Sequence, residues 1–143
     1  MKNATELLRA YIAGSPEEAG ALFADDGALE LPYLAEIGVD SRYEGPAAIV
    51  KFLTFLHQMY PGFAFVQVAI PIQTPTQALG EYHINHRSAF SGKLVHQQFF
   101  GHLVAEGGKI KLLREALNVI AAADGIFPNG MADVMAQRQK QEA

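Results

Sequence analysis

The second half of the chain consists of four segments in which apolar and polar residues alternate almost without interruption. They are "FAFVQVAIPI" from Phe63, "ALGEYHINHRSAF" from Ala78, "KLVHQQFFGHLVA" from Lys93 and "KIKLLREALNVI" from Lys109. Turn residues separate them, at positions 74–76, 91–92 and 107–108. Alternation with a period of two is typical of strands, and short glycine-containing turns join antiparallel neighbours. The region therefore predicts a meandering antiparallel sheet.

The first half of the chain carries helix signals instead. Asn3 or Thr5 can cap a first helix that Gly14 ends, and Pro16 suits the first turn of a second, short helix. Gly45 precedes the longest helix, which Pro61 and Gly62 end. Its apolar stripe, typical of a helix packed on a core, is Ile49, Phe52, Leu53, Leu56 and Tyr60.

Two shorter segments complete the prediction. The alternation of Leu29, Leu31 and Tyr33 predicts a strand after a turn at Asp25 and Asp26. The residues after Asp124 are expected to form a loop and a frayed helix. With helices first and strands after, the order of elements predicts one α+β domain, with a core at about 5–123 and a carboxy-terminal tail at 124–143.

Composition narrows the class of partner. A chain of 143 residues with a formal charge of −4 has no basic excess that would attract nucleic acid or an anionic membrane. It has no cysteine, and its amino terminus lacks the apolar run of a signal peptide. We therefore predict a cytoplasmic protein that meets a small molecule or another protein.

Counting outward from the two glycine turns assigns the strand side chains to two faces of the sheet. The polar-rich face collects Glu81, His83, Asn85, Arg87, His96, Gln98, Phe100, His102, Leu113, Glu115, Leu117 and Val119. The opposite face collects Tyr82, Ile84, His86, Val95, Gln97, Phe99, Leu103, Leu112, Arg114, Ala116, Asn118 and Ile120. In this register His83, Phe100 and Glu115 form one row across the sheet.

Glu115 has the clearest chemical meaning on the polar-rich face. Its strand neighbours Leu113 and Leu117 are large and apolar, so its carboxyl is expected to have a raised pKa, as in a general acid or base. Alternatively, this face is the solvated side of a half-covered sheet. His83 and His86 point to opposite faces and cannot chelate one metal ion.

The element order and three short stretches resemble the nuclear-transport-factor-2-like superfamily, in particular its SnoaL-like, ketosteroid-isomerase-like and phenazine-biosynthesis A/B-like branches. The stretches are "LFADDGALELP", "YEGPAAIVKFL" and "GKIKLLREALNV". The resemblance covers about Thr5 to Pro128. It implies a cone-shaped cystatin-like fold in which a strongly curved, mainly antiparallel sheet wraps a long helix around a small, mostly apolar ligand.

The resemblance also implies roles for single residues. Glu115 takes the place of the glutamate that acts as an acid in the phenazine-like proteins, and Tyr11 that of the first-helix tyrosine of ketosteroid isomerases. Phe100 takes a cavity-side position. Val95 and Leu31 stand where those families carry a tyrosine and an aspartate.

Together these observations predict a cofactor-free, metal-free pocket protein that isomerises, cyclises or condenses a small carbonyl compound. Glu115 and His83 are the predicted catalytic residues. The predicted substrate-binding residues are Tyr11, Tyr33, His57, Asn85, Gln98 and Phe100. The alternative is a non-catalytic ligand-binding or dimerisation module of the same fold.

A homodimer through the sheet is also predicted, since subunits of this superfamily commonly pair in this way and an apolar sheet face is costly to expose. The pairing face is expected to carry Phe99, Leu112, Arg114, Ala116 and Ile120.

Overall fold

The computed structural model describes residues 1–142 and contains one six-stranded sheet. The strands are β1 Phe23–Glu30, β2 Arg42–Glu44, β3 Val66–Gln73, β4 Gln77–Arg87, β5 Leu94–Glu106 and β6 Lys109–Leu117. Their order across the sheet is β2-β1-β6-β5-β4-β3. The β1–β6 pair is parallel and the other neighbours are antiparallel, which confirms the mainly antiparallel α+β prediction.

Helices precede, interrupt and follow the sheet. They are α1 Ala4–Ala13, α2 Pro16–Gly20, α3 Pro46–Met59, α4 Val119–Ile126 and α5 Met131–Glu142, with a 3-10 helix at Pro32–Ile37. None of the helices in residues 1–142 is long and apolar enough to cross a membrane.

Local capping explains where these helices begin. The Asn3 side chain accepts a hydrogen bond from the Glu6 amide at 2.9 Å, so Asn3 rather than Thr5 caps α1. Ser15 and Glu18 form a reciprocal capping box at α2. The Asn118 side chain accepts from the amides of Ile120 and Ala121, which starts α4 where the sequence predicted continued strand.

Three local predictions are wrong. Asp25 and Asp26 lie within β1, beside a register shift against β6, and not in a turn. Tyr33 lies in the 3-10 helix rather than in a strand, because Pro32 lacks a backbone donor and opens a helical turn. The stretch "AEIGVDSRYEG", predicted to be a loop between the first strand and the longest helix, contains the short edge strand β2.

The inner face of the sheet is covered by helices. α1 packs against β3 to β6, and α3 against β1 and β2, so both lie on the same core. Leu7 and Leu8 of α1 and Ile49 of α3 are almost fully buried. The stripe predicted for α3 supplies its buried side, and Met59 completes it.

The predicted row across the sheet is wrong in both neighbouring strands: Phe100 pairs with Glu81 rather than with His83, two residues away on the same face of β4, and β6 is shifted by one residue. Ala105 pairs with Ile110 next to the turn, but Val104 pairs with Leu112, so Lys111 is an extra, bulged residue. A shift of one residue exchanges the two faces of a strand. Glu115 therefore lies opposite Gly101, on the inner face, and Phe100 lies opposite Ala116, on the outer face.

The predicted pairing face also needs correction. Phe99 pairs with Tyr82 and Leu117 on the inner face and is only 4% exposed, so it cannot take part in an outer contact. Ile120 lies in α4 and not on the sheet. Leu112, Arg114 and Ala116 share the outer face with Phe100, His102 and Val104.

Candidate active site

The Glu115 carboxyl is buried in the middle of the sheet's inner face, and the residue is only 2% exposed. The flanking inner residue Leu113 is fully buried. Burial raises the pKa of Glu115 to about 7, and a hydrogen bond from Tyr82 offsets part of the rise. Near neutral pH the group is therefore present in both its protonated and its ionised form, which is the requirement for moving protons in either direction.

Tyr82 reaches Glu115 by crossing strand β5. Its hydroxyl donates a hydrogen bond to Oε2 of Glu115, although β4 and β6 are not neighbours in the sheet. Gly101 makes this possible, because a Cβ atom there would stand 2.2 Å from the Tyr82 hydroxyl oxygen. Gly101, the glycine of "FFGH", therefore leaves the space that the Tyr82 ring occupies.

Tyr11 of α1 completes a cluster of three buried oxygen-bearing side chains. Tyr11 is 3% exposed, and burial, followed by the nearby charge of Glu115, raises its pKa well above the usual value for tyrosine. Burial and the same charge raise the pKa of Tyr82. Both phenols therefore remain protonated at neutral pH, and each can donate a hydrogen bond to a carboxylate or a carbonyl oxygen.

Next to this cluster lies an apolar cavity with a volume of about 30 Å³. Its lining consists of Leu31, Leu34, Val39, Phe52, Phe55, Leu56, Met59, Tyr60, Phe63, Ile84, Gln97, Phe99, Leu117, Ala122 and Ile126. The Gln97 side chain already has hydrogen-bond partners. Its Nε2 donates to the Asn118 carbonyl at 2.8 Å, and its Oε1 accepts from the Asn118 amide at 2.7 Å. Glu115 is not part of the lining. Phe99, stacked on Tyr82 at 5.7 Å between ring centroids, separates the cavity from the Tyr82–Glu115 pair.

A second opening, which we call the side groove, lies between α1, α3 and the segment before β3, with a volume of about 260 Å³. Its lining is Tyr11, Ile12, Ala13, Gly14, Pro16, Ala19, Leu53, His57, Phe63, Ala64 and Phe65. The His57 ring packs on Phe63 at 4.7 Å, and burial lowers the pKa of His57. The imidazole is therefore mostly uncharged at neutral pH.

The structure divides the predicted site residues into two groups. Glu115, Tyr11 and His57 lie on the inner side, around the cluster and the side groove. His83, Asn85, Gln98 and Phe100 lie on the outer face, where the Nδ1 atom of His83 is 3.2 Å from Nε2 of His96. Because the sheet lies between them, His83 cannot contact Glu115, and the predicted cavity-side position of Phe100, which is 43% exposed, is wrong. Tyr33 is 52% exposed on the 3-10 helix.

Three residues of the site were missed in the sequence. Tyr82 was assigned to the opposite face from Glu115, because the bulge at Lys111 leaves no clear signal where Leu112 and Leu113 are both apolar. Gly101 in the middle of a strand was the available signal, since an interior glycine often marks a close approach of another group. Phe65 could not be found from spacing, because it precedes β3 and lies outside the regular sheet.

No group of three or more potential metal ligands occurs among residues 1–142. Glu81 lies opposite Phe100 and His102 opposite Leu79, so these two potential metal ligands are not paired across the strands.

Solved structures with the same fold are numerous. A phenazine biosynthesis-related protein of Pseudomonas aeruginosa is 18% identical, with a TM-score of 0.72 over 85% of this chain and 83% of that one. A candidate isomerase of Bacillus subtilis is 20% identical, with a TM-score of 0.74 over 85% and 91%. A Catenulispora acidiphila protein with a ketosteroid isomerase-like fold, in complex with trimethylamine, is 15% identical, with a TM-score of 0.67 over 88% and 97%.

At these identities the similarity establishes the fold alone, and it confirms the predicted cystatin-like, ketosteroid isomerase-like α+β fold. No protein of curated function matches the sequence. The sequence model of the SnoaL-like domain matches residues 4–113, which is most of the chain. The chain therefore belongs to the SnoaL-like domain family.

Proposed function

We propose that this protein catalyses cofactor-free acid-base chemistry on a small, mostly apolar carbonyl compound, by isomerisation, cyclisation or condensation. The observation that carries the proposal is the buried Glu115 carboxyl, held by Tyr82 and with a pKa of about 7. A surface carboxylate would be ionised at neutral pH and a poor acid, whereas this group loses and regains its proton at little cost.

The roles follow from the protonation states. The ionised Glu115 takes a proton from the carbon next to the carbonyl, and the protonated Glu115 returns it to another carbon or to oxygen. The Tyr11 phenol, which remains protonated, donates a hydrogen bond to the carbonyl oxygen as negative charge develops there. Tyr82 holds the carboxyl in place. Tyr11 and Tyr82 thus take the place of His83, a predicted catalytic residue, and Asn85, a predicted substrate-binding residue.

Hydrogen-deuterium exchange tests this proposal directly. Small cyclic and aryl ketones are incubated with the protein in D₂O, and exchange of the protons next to the carbonyl is followed by NMR. We expect exchange above background with the wild-type protein and none with Glu115→Gln, which keeps the shape of the side chain but not its basicity. Glu81→Gln, on the outer face, is the matched control and should retain the activity.

The second candidate function is ligand binding without catalysis, and the satisfied hydrogen bond between Tyr82 and Glu115 favours it. If the pair is only a structural contact, a ketone will bind without exchanging protons, and Glu115→Gln will leave its affinity unchanged. Exchange that depends on Glu115 contradicts this candidate.

We also propose a homodimer through the outer face of the sheet. Ile72, Leu94 and Phe100 are 60%, 67% and 43% exposed there, which is costly for a monomer. One chain has a mass of 15.5 kDa, and light scattering should give twice this value. Phe100→Asp should shift the protein toward the monomer. A wild-type monomer at micromolar concentration contradicts the proposal.

A further inference from the structure

Phe63 and Phe65 lie between the apolar cavity, the side groove and the buried Tyr82–Glu115 pair. Phe63 lines both the apolar cavity and the side groove, so it forms the wall between them. Phe65 lines the side groove and packs edge-on against Tyr82, with ring centroids 4.8 Å apart. It also lies 6.4 Å from the Tyr11 ring and 5.5 Å from the Phe99 ring. Phe65 therefore lies between the side groove and the Tyr82 ring.

The volumes favour the groove as the way to Glu115. The apolar cavity holds about 30 Å³, which is enough for roughly one water molecule. The side groove holds about 260 Å³ and is bounded by Tyr11, a member of the buried cluster. A ligand in the groove therefore lies against Phe65, whose ring packs on Tyr82, the hydrogen-bond donor to Glu115.

The backbone that carries Phe65 is weakly held. Residues 61–65 belong to no helix or strand, and the next strand, β3, lies at the edge of the sheet. Gln67 has a φ of 54°, which is strained for a residue with a side chain, and the pairing of β3 with β4 shifts register on both sides of Ala69. The Ala64 amide hydrogen-bonds Nε2 of His86 at 3.2 Å. Within residues 1–142 it is the one hydrogen bond between residues 61–65 and β4, and the remaining contacts are between aromatic rings.

We propose that the side groove is the ligand-entry site, and that a neutral, planar, mostly apolar carbonyl compound reaches Glu115 there by displacing Phe65. This inference rests on the proposed function and adds the route and the ligand class. Within residues 1–142, the polar side chains that line the groove are the Tyr11 phenol and the mostly uncharged His57, and none is charged at neutral pH, which favours a neutral ligand. The rings of Phe63 and Phe65, which pack edge to face, both line the groove, and aromatic side chains favour a planar molecule.

Binding of 4-fluoroacetophenone, followed by fluorine and protein NMR, tests the route. Ala64→Trp covers the groove, and Ala122→Val narrows the apolar cavity. We expect binding at least about tenfold weaker in Ala64→Trp and within about twofold of wild type in Ala122→Val. The reverse order overturns the proposal, as does no binding to the wild-type protein at millimolar concentration.

A second measurement needs no ligand. Phe65→Ala removes the ring next to Tyr82. Phe63→Ala removes a neighbouring ring that, within residues 1–142, packs on neither the Tyr82 nor the Tyr11 ring. If Phe65 seals the route, carboxyl NMR should show the pKa of Glu115 falling toward its usual range in Phe65→Ala alone, because water then reaches the carboxyl. Phe65→Leu, which keeps more volume, serves if the alanine variant does not fold. A Glu115 pKa that is unchanged in Phe65→Ala, or that falls equally in Phe65→Ala and Phe63→Ala, overturns the proposal.

The failure of this inference can be told from failure of the proposed function. If 4-fluoroacetophenone binds in the groove but no ketone exchanges protons, the entry site stands and catalysis does not. If Glu115-dependent exchange occurs and Ala122→Val abolishes it while Ala64→Trp does not, catalysis stands and the groove route is wrong.

Discussion

The inner and outer faces of the central strands carry similar polar residues in very different states. On the inner face Glu115 and Tyr82 are almost completely buried and bond each other. On the outer face, Glu30 bonds Arg114 at 2.8 Å, with the arginine half exposed. The partners as well as burial distinguish the two carboxyls: burial beside an uncharged phenol raises the pKa of Glu115 to about 7, whereas hydrogen bonds from Arg114 and Arg42 lower the pKa of Glu30.

The polar contacts of the two faces also differ in how much they contribute to stability. A solvent-exposed ion pair stabilises a protein by about 0–1 kcal/mol, because water competes for both charges. A buried carboxyl has no such alternative partner, so each lost contact leaves a desolvated oxygen. We therefore expect substitutions on the inner face to have large effects and those on the outer face small ones.

The largest effect is expected at Gly101. Gly101→Ala places a methyl group 2.2 Å from the Tyr82 hydroxyl oxygen, so the phenol must move away from Glu115. We expect the free energy of unfolding to fall by about 2–4 kcal/mol, measured by urea denaturation. His102→Ala, the next residue on the outer face, is the control and should cost about 0.5 kcal/mol. Equal effects at the two positions would remove the distinction between the faces.

The next effect is the dependence of stability on pH. Below pH 4.5, Glu115 is protonated in the folded and the unfolded chain, so it does not make stability depend on pH. Between pH 4.5 and about 7, the unfolded chain releases this proton and the folded protein keeps it, so stability falls as pH rises and levels off above about 7.

The raised pKa of Glu115 corresponds to a loss of about 3 kcal/mol of unfolding free energy between pH 4.5 and about 7. Denaturation of Glu115→Gln at pH 4, 6 and 8 should lack this loss, whereas Glu81→Gln should retain it. A Glu115→Gln profile identical to that of the wild-type protein would show that the carboxyl is solvated.

A smaller effect is expected from Tyr82→Phe. The substitution removes the donor that lowers the pKa of Glu115, so this pKa should rise above about 7 in carboxyl NMR titration. The lost hydrogen bond should cost about 1–2 kcal/mol of unfolding free energy. A pKa that stays unchanged would mean that Tyr82 does not bond the carboxyl in solution.

The smallest effect is expected on the outer face. His83→Gln removes a contact with His96 that is open to solvent, and the change in unfolding free energy should be about 0.5 kcal/mol or less. The Glu115 titration should not move, because the sheet separates the two residues. A shifted Glu115 pKa in this variant would revive a role for His83 in the site.

The local elements of this protein could be predicted from its sequence. Periodicity and capping residues identified α1, α2, α3 and the four long strands, because these signals act over a few neighbouring residues. The same signals placed Leu113, Glu115 and Leu117 on one side of β6, since alternation within a strand is a property of its own backbone.

Only the tertiary structure decided which side that was and what lies there. The bulge at Lys111 depends on how β6 pairs with both β5 and β1, and one extra residue exchanged the faces and brought Tyr82 instead of His83 to Glu115. The path of the Tyr82 ring over Gly101 and the position of Phe65 depend on contacts between residues far apart in the chain. The sequence thus determined that a carboxyl sits among apolar neighbours on its strand, and packing across strands determined its burial, its partner and its pKa.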